Sequence, residues 1–267
     1  SPEGPMPTAL TPKPLPLFLE GPVRLFKLKL SGEEKHSLAA AVRRSGLYDR
    51  KLKMYKVNES LRTVSYEAGR ALAFTPGWLE NESVWLHMEY KYLLELLKNG
   101  LYPEFAEAFR DAAIPFLNPD TYGRSPLENS SFIASSANPD PVIHGKGFVA
   151  RLSGSTAELL SIWQIMLLGE TLFTIDGGRL TLHLTPLLPD YLTRGTDAVE
   201  ATLLGKTRVV YHIQPGRSYL PGHYAVARAC ITWQSGEATD LADGVIAGDN
   251  AQRVRRQEAQ EIHLWLR

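Results

Sequence analysis

The residues whose types and spacing could do chemistry gather in the run Arg151-Leu-Ser-Gly-Ser-Thr-Ala-Glu158. Ser155 and Glu158 have the spacing of a capping box, so the run reads as the start of a helix, with Leu159, Ile162, Trp163 and Met166 as its buried stripe. Backbone N–H groups at a helix start lack internal partners, and the helix dipole adds partial positive charge there. A glycine in front, Gly154, lets a ligand approach the backbone, and the hydroxyls of Ser153, Ser155 and Thr156 add donors. This is the chemistry of an oxyanion site, for phosphate or a carboxylate. The same residues also read as an ordinary helix cap.

A second candidate group lies upstream. His87 falls in the first turns of another expected helix, where an imidazolium could hold phosphate or simply face solvent. Glu80, Glu82 and Glu128 could bind sugar hydroxyls or do acid–base work, and the first two could equally complement a helix dipole. Arg124 could clamp an anion or pair with Glu128 or Asp120, and Asn129 adjoins Glu128. Trp78, Trp85 and Tyr122 could stack on a sugar face or pack a core. The histidines show no metal-ligand spacing, so no metal and no cofactor is expected. Gly145-Lys-Gly147 completes neither a P-loop nor a dinucleotide fingerprint, and no serine occupies a nucleophile elbow.

The elements that must position these groups follow from periodicity. Residues 1–22 are Pro-rich and read as a tail or linker, and Val23 to Leu30 as an edge strand. Ser31-Gly-Glu-Glu34 opens a helix to about Arg44, and residues 51–73 read as helix pieces broken at Gly69. Leu79 to Gly100 reads as one helix, capped by Asn81 or Ser83. It is wrapped so widely in apolar residues that a half barrel would leave part of its face uncovered. A further helix starts around Pro103 and buries Phe105, Phe109 and Ala112. Residues 115–152 show no period and read as a long functional loop anchored by aromatic side chains. Beyond Phe173 come short strands: Arg179 to Leu184, Val199 to Leu203, Thr207 to Gln214, Tyr224 to Trp233 and Glu261 to Leu266. Helices first and strands after imply an α+β chain: tail 1–22, helical part 23–172, β-rich domain 173–267.

Bulk composition narrows the partners. The 29 basic and 29 acidic residues balance, so no nucleic acid or anionic membrane is expected to attract the chain. No run is long enough to span a bilayer, no signal peptide is expected, and Cys230 is the only cysteine. A reducing, cytoplasmic setting is expected.

The order Trp85-Leu-His87, Tyr90 to Gly100, Leu127-Glu-Asn129 and Ser153-Gly-Ser-Thr-Ala157, then Leu180 to Leu188 and Pro189-Asp-Tyr191, resembles the C-terminal part of inverting glycoside phosphorylases of the cellobiose and cellodextrin phosphorylase type. The resemblance implies a partial (α/α) barrel of paired helices followed by a small antiparallel β-sandwich. It implies inverting phosphorolysis of a β-linked gluco-oligosaccharide to α-glucose 1-phosphate, with inorganic phosphate as co-substrate. His87, Ser153, Gly154 and Ser155 would hold phosphate; Glu82, Trp85, Arg124, Glu128 and Asn129 would meet sugar. The family usually has Thr where this chain has Ser153, and an Asn- and Pro-containing stretch where Met88-Glu89-Tyr90 follows the His. Its general acid lies upstream of the matched region, so the chain alone is expected to be inactive, completed by a missing N-terminal part or a homodimer partner. A non-catalytic carbohydrate-binding module, or an inverting hydrolase using Glu128 as base, are the alternatives.

Overall fold

The computed structural model describes residues 4, 8–9, 12–66, 69–150 and 154–267. The chain divides into two compact units, Ser1–Glu95 with Ala108–Thr156, and Leu96–Glu107 with Ala157–Arg267. The cut is not at Phe173, because three helices contribute residues to both units.

In the first unit, α1 (Glu20–Phe26) replaces the expected edge strand. Leu19, Val23 and Phe26 are buried at helical spacing, and an Arg24–Glu20 pair one turn apart supports the outer face. The presumed tail is also packed at its end, since Leu19 N–H donates to the Val57 carbonyl at 2.9 Å. Helix α2 (Gly32–Arg44) has the expected capping box, with the Ser31 side chain accepting from Glu34 N–H and the Glu34 carboxylate from Ser31 N–H at 2.7 Å.

A small hairpin follows, β1 (Tyr48–Asp49) and β2 (Met54–Tyr55), where helix pieces were expected. Its turn is held by Asp49, whose Oδ1 accepts from Lys51 N–H at 3.0 Å and Leu52 N–H at 3.1 Å.

The helix expected from Leu79 starts late. Leu79 (φ 49°) and Glu82 (φ 56°) are left-handed, Trp78 and Asn81 form a bridge, and Val84–Trp85 is strand β3. Helix α3 then runs Leu86–Lys98 and α4 Tyr102–Ala112, joined through Gly100 at φ 76°, as its closing position requires. Phe105, Phe109 and Ala112 are fully buried as expected. So is the apolar wrap of α3 at Leu86, Tyr90, Leu93 and Leu96, so the uncovered face anticipated for it is absent.

The aperiodic stretch after α4 contains α5 (Pro119–Tyr122), β4 (Ser130–Ile133) and β5 (Gly147–Ala150). Strands β3, β4 and β5 form an antiparallel sheet, and α6 (Gly154–Leu168) follows it.

The second unit opens with the hairpin β6 (Phe173–Asp176) and β7 (Arg179–Leu182). Its two-residue turn, Gly177 (φ 57°) and Gly178 (φ 80°), has the left-handed pair that matches strand twist. After α7 (Asp190–Thr193) come β8 (Ala198–Leu203), β9 (Thr207–His212), β10 (Val226–Trp233), β11 (Ala238–Leu241), β12 (Ile246–Ala247), α8 (Asp249–Arg255) and β13 (Ala259–Leu266). One sheet has the order β11-β10-β13-β9-β8 and the other β12-β7-β6. The five-stranded sheet is not purely antiparallel, because β13 and β9 pair in parallel. Its inner face supplies Tyr211, Ile231, Trp233, Ile262 and Leu264 to a core shared with Leu182, Ile246 and Val254. The protein is therefore α+β, and no barrel closes among the described residues.

Candidate functional site

Helix α6 already begins at Gly154, so Ser155 lies inside it rather than ahead of it. Ser153, expected among the phosphate ligands, lies outside the described residues. Gly154 is pressed against an imidazole. A Cβ placed on it would lie 2.6 Å from His87 Cε1 and Nε2 and 2.7 Å from Cδ2. Only a residue without a side chain leaves room for that ring. His87 is the second residue of α3, so the N-terminal ends of two long helices are brought to one place within the first unit. Both dipoles put partial positive charge there.

Ser155 points the other way. It is fully buried, and its hydroxyl lies 3.5 Å from the carbonyl of Ser130 in β4. The hydroxyl is an anchor of α6 on β4. Ser130 is itself fully buried, and its own Oγ has no partner among the described residues. Next to Ser130 in sequence, the half-buried Asn129 accepts through Oδ1 from Tyr90 Oη at 3.5 Å.

The loop before β4 is fixed by Tyr122, which donates to the Glu128 carbonyl at 2.6 Å and accepts from Ser130 N–H at 2.9 Å. Burial raises the Tyr122 phenol above its ordinary range, so it stays protonated and keeps donating. Glu128 is thereby held by its backbone while its carboxylate stays half-exposed, 3.5 Å from Arg124 Nη1. Arg124 also donates through Nε to the Gly147 carbonyl at 2.8 Å, tying the loop to β5.

Trp85 stacks on Phe132 with centroids 5.8 Å apart and planes 5° from parallel. Trp78 meets Phe132 and Phe148 edge-on, at 5.0 Å and 4.4 Å. These rings build the small sheet, with Trp85 left half-buried. Glu82 is committed elsewhere, in a buried pair with Lys56 at 2.9 Å. Val149 of β5 is exposed and left-handed at φ 58°, an unfavourable backbone for a β-branched residue and one that recurs near functional sites.

Neither the family models nor the curated proteins compared with the chain give a match.

Two clusters escaped the sequence reading. Glu89 of α3 is fully buried, and burial first, then the charge of Asp49, pushes its carboxyl up to about 8 against one opposing bond from Tyr55 N–H. No local sequence signal marks it, because the apolar wrap around it was read as core. In the second unit a cleft of about 380 Å³ is lined by Lys98, Tyr102, Glu170, Thr174, Asp176 and His183 among others. Thr174 Oγ1 lies 2.7 Å from both Asp176 Oδ2 and His183 Nε2. The strand alternation that puts residues 174 and 176 on one face was the usable signal.

Proposed function

We propose that the head of α6, with His87 beside it, binds inorganic phosphate as the phosphate side of an inverting glycoside phosphorylase. The observation that supports this most is the seating of the His87 ring on Gly154, which joins two residues far apart in sequence at two helix N-termini. The part-barrel architecture implied by the resemblance belongs to the same proposal.

In the proposed reaction, a phosphate oxygen attacks the anomeric carbon of a β-glucoside from the face opposite the leaving oxygen. The glycosidic bond breaks and the leaving oxygen takes a proton from a carboxylic acid, giving α-glucose 1-phosphate. Phosphate replaces the activated water of an inverting hydrolase, so no base carboxylate is required. The proposed work of this chain is to place the nucleophile: the α6 N-terminus for its charge, His87 for a further donor, and Gly154 for the room in which the His87 ring sits. No residue described here is assigned as the proton donor. Glu128, held by Tyr122 with its carboxylate exposed, is placed on the sugar side together with Arg124, Asn129 and Trp85.

Titration calorimetry with inorganic phosphate and with glucose 1-phosphate tests this. Saturable binding is expected, abolished in Gly154→Val and weakened at least tenfold in His87→Ala, with both variants folded by circular dichroism. Absence of binding, or binding indifferent to both changes, overturns it. Glucan binding untouched by either change would point to a carbohydrate-binding module. The half-exposed Glu128 carboxylate gives the hydrolytic reading its own test, phosphate-independent sugar release that disappears in Glu128→Gln.

A further inference from the structure

The outer face of the five-stranded sheet carries a group of rings that neither the core nor the proposed reaction uses. His212 of β9 and His263 of β13 are stacked, with ring centroids 5.1 Å apart and planes 16° from parallel. His212 Nε2 lies 2.9 Å from His263 Nδ1. The other nitrogen of His263, Nε2, lies 3.1 Å from Glu261 Oε2. Trp265 stacks on His212 at 4.5 Å and 12°.

We infer that this pair binds a first-row divalent cation of the zinc, nickel and copper class, with His212 Nε2 and His263 Nδ1 as its two protein ligands. Two imidazole nitrogens bound to one such ion at roughly 2.0–2.1 Å, in tetrahedral or octahedral geometry, lie about 2.9–3.4 Å apart. The observed separation is within that span, so the backbone need not move, while each ring turns to aim its lone pair at the ion.

Glu261 does what an outer carboxylate does for a metal-bound histidine. It holds the proton on His263 Nε2 and turns the Nδ1 lone pair toward His212. In the cation-free state His212 Nε2–H donates to that lone pair; on binding, this proton moves through solvent to His212 Nδ1.

The surroundings favour a cation. Asp197, Glu200 and Glu261 act on the two rings, and Asp240 lies beyond, paired with Arg228. Arg208 is taken by Glu200 and Glu261, and Arg228 by Asp240 while lying 4.8 Å over Trp265. Strands β9 and β13 pair directly, Trp265 opposite His212, so the ligands stand on rigid backbone. No three His, Cys, Asp or Glu side chains converge at ligand spacing among the described residues, so water fills the remaining positions.

Zinc titration of the full chain by calorimetry is the test. It is done in a Cys230→Ser background, because Cys230 faces His263 across β10 and β13 and could capture metal by itself. One equivalent of Zn²⁺ is expected. His212→Gln and His263→Gln should each weaken binding at least tenfold, and Glu261→Gln by a smaller factor. Cu²⁺ should quench tryptophan fluorescence, with most of the quenching lost in Trp265→Phe. Absence of Zn²⁺ binding up to millimolar concentration, or binding in either histidine variant as tight as in the parent, would reduce the pair to an imidazole–imidazole hydrogen bond.

Discussion

The two units treat polar groups in opposite ways. In the first, Asp49, Glu82, Glu89 and Glu95 are buried, together with Asn58, Asn81, Asn138 and several serines. In the second, Thr193 and Thr207 are the buried polar residues among those described, and charges pair on the outer faces of sheets. Burying a polar group is unfavourable unless it is bonded. The first unit therefore spends stability to fix irregular backbone: Asp49 holds a turn and Ser136, Glu82 meets Lys56, and Tyr122 fixes the Glu128 loop. The second unit follows the ordinary sheet pattern of apolar inside and charged outside. Conflicts with simple folding rules are common where function is found, and here they gather in the first unit, which also holds His87 and Gly154.

This contrast can be broken in order of expected effect. Lys56→Ala should be the most damaging, because it leaves the Glu82 carboxylate buried without its cation. A loss of about 3 kcal/mol is expected in urea unfolding. Gly147→Ala comes next. A Cβ there would lie 2.1 Å from Tyr122 Cε2 and 2.8 Å from Ser130 Oγ, and overpacking of this kind costs about 2 kcal/mol. It should also release the Glu128 loop, seen as faster amide exchange at Ser130.

Glu89→Gln sharpens the contrast through pH. The carboxyl sits at about 8 in the folded protein against an ordinary 4.5. Its raised value means its stabilising contribution is complete below about 4.5 and is lost as pH rises through about 8. Melting temperature should therefore fall between these limits in the parent and fall less in Glu89→Gln, which should be the more stable of the two at pH 8.5. Equal slopes would remove Glu89 as the titrating group. At the small end, Arg228→Ala should leave the urea unfolding midpoint nearly where the parent has it, since its pair with Asp240 is half-exposed and screened.

Five strands of the second unit, β7, β8, β9, β10 and β13, were legible in sequence from their β-rich runs, and β10 and β13 alternate inner and outer residues; β9 departs at the buried Val210, and the short β6, β11 and β12 were missed. Helices α2 and α4 were legible from their caps and spacing. The first unit was less so. Val23 to Leu30 contains mostly apolar residues compatible with either period, and packing of Leu19, Val23 and Phe26 decided for helix. Residues 115–152 lost their strands to the eye because β4 is buried along its whole length and so does not alternate. The start of α3 was misplaced because a turn with two left-handed non-glycine residues, Leu79 and Glu82, has no composition signal.

By itself the sequence determined that a helix begins near Gly154 and that His87 belongs to the start of another, because caps and periodicity are local properties. Only the tertiary structure decided that the ring of one lies on the glycine of the other, that Ser155 turns inward, and that His212 meets His263. These are long-range contacts, set by how sheets and helices close on one another, and no short stretch of chain encodes them.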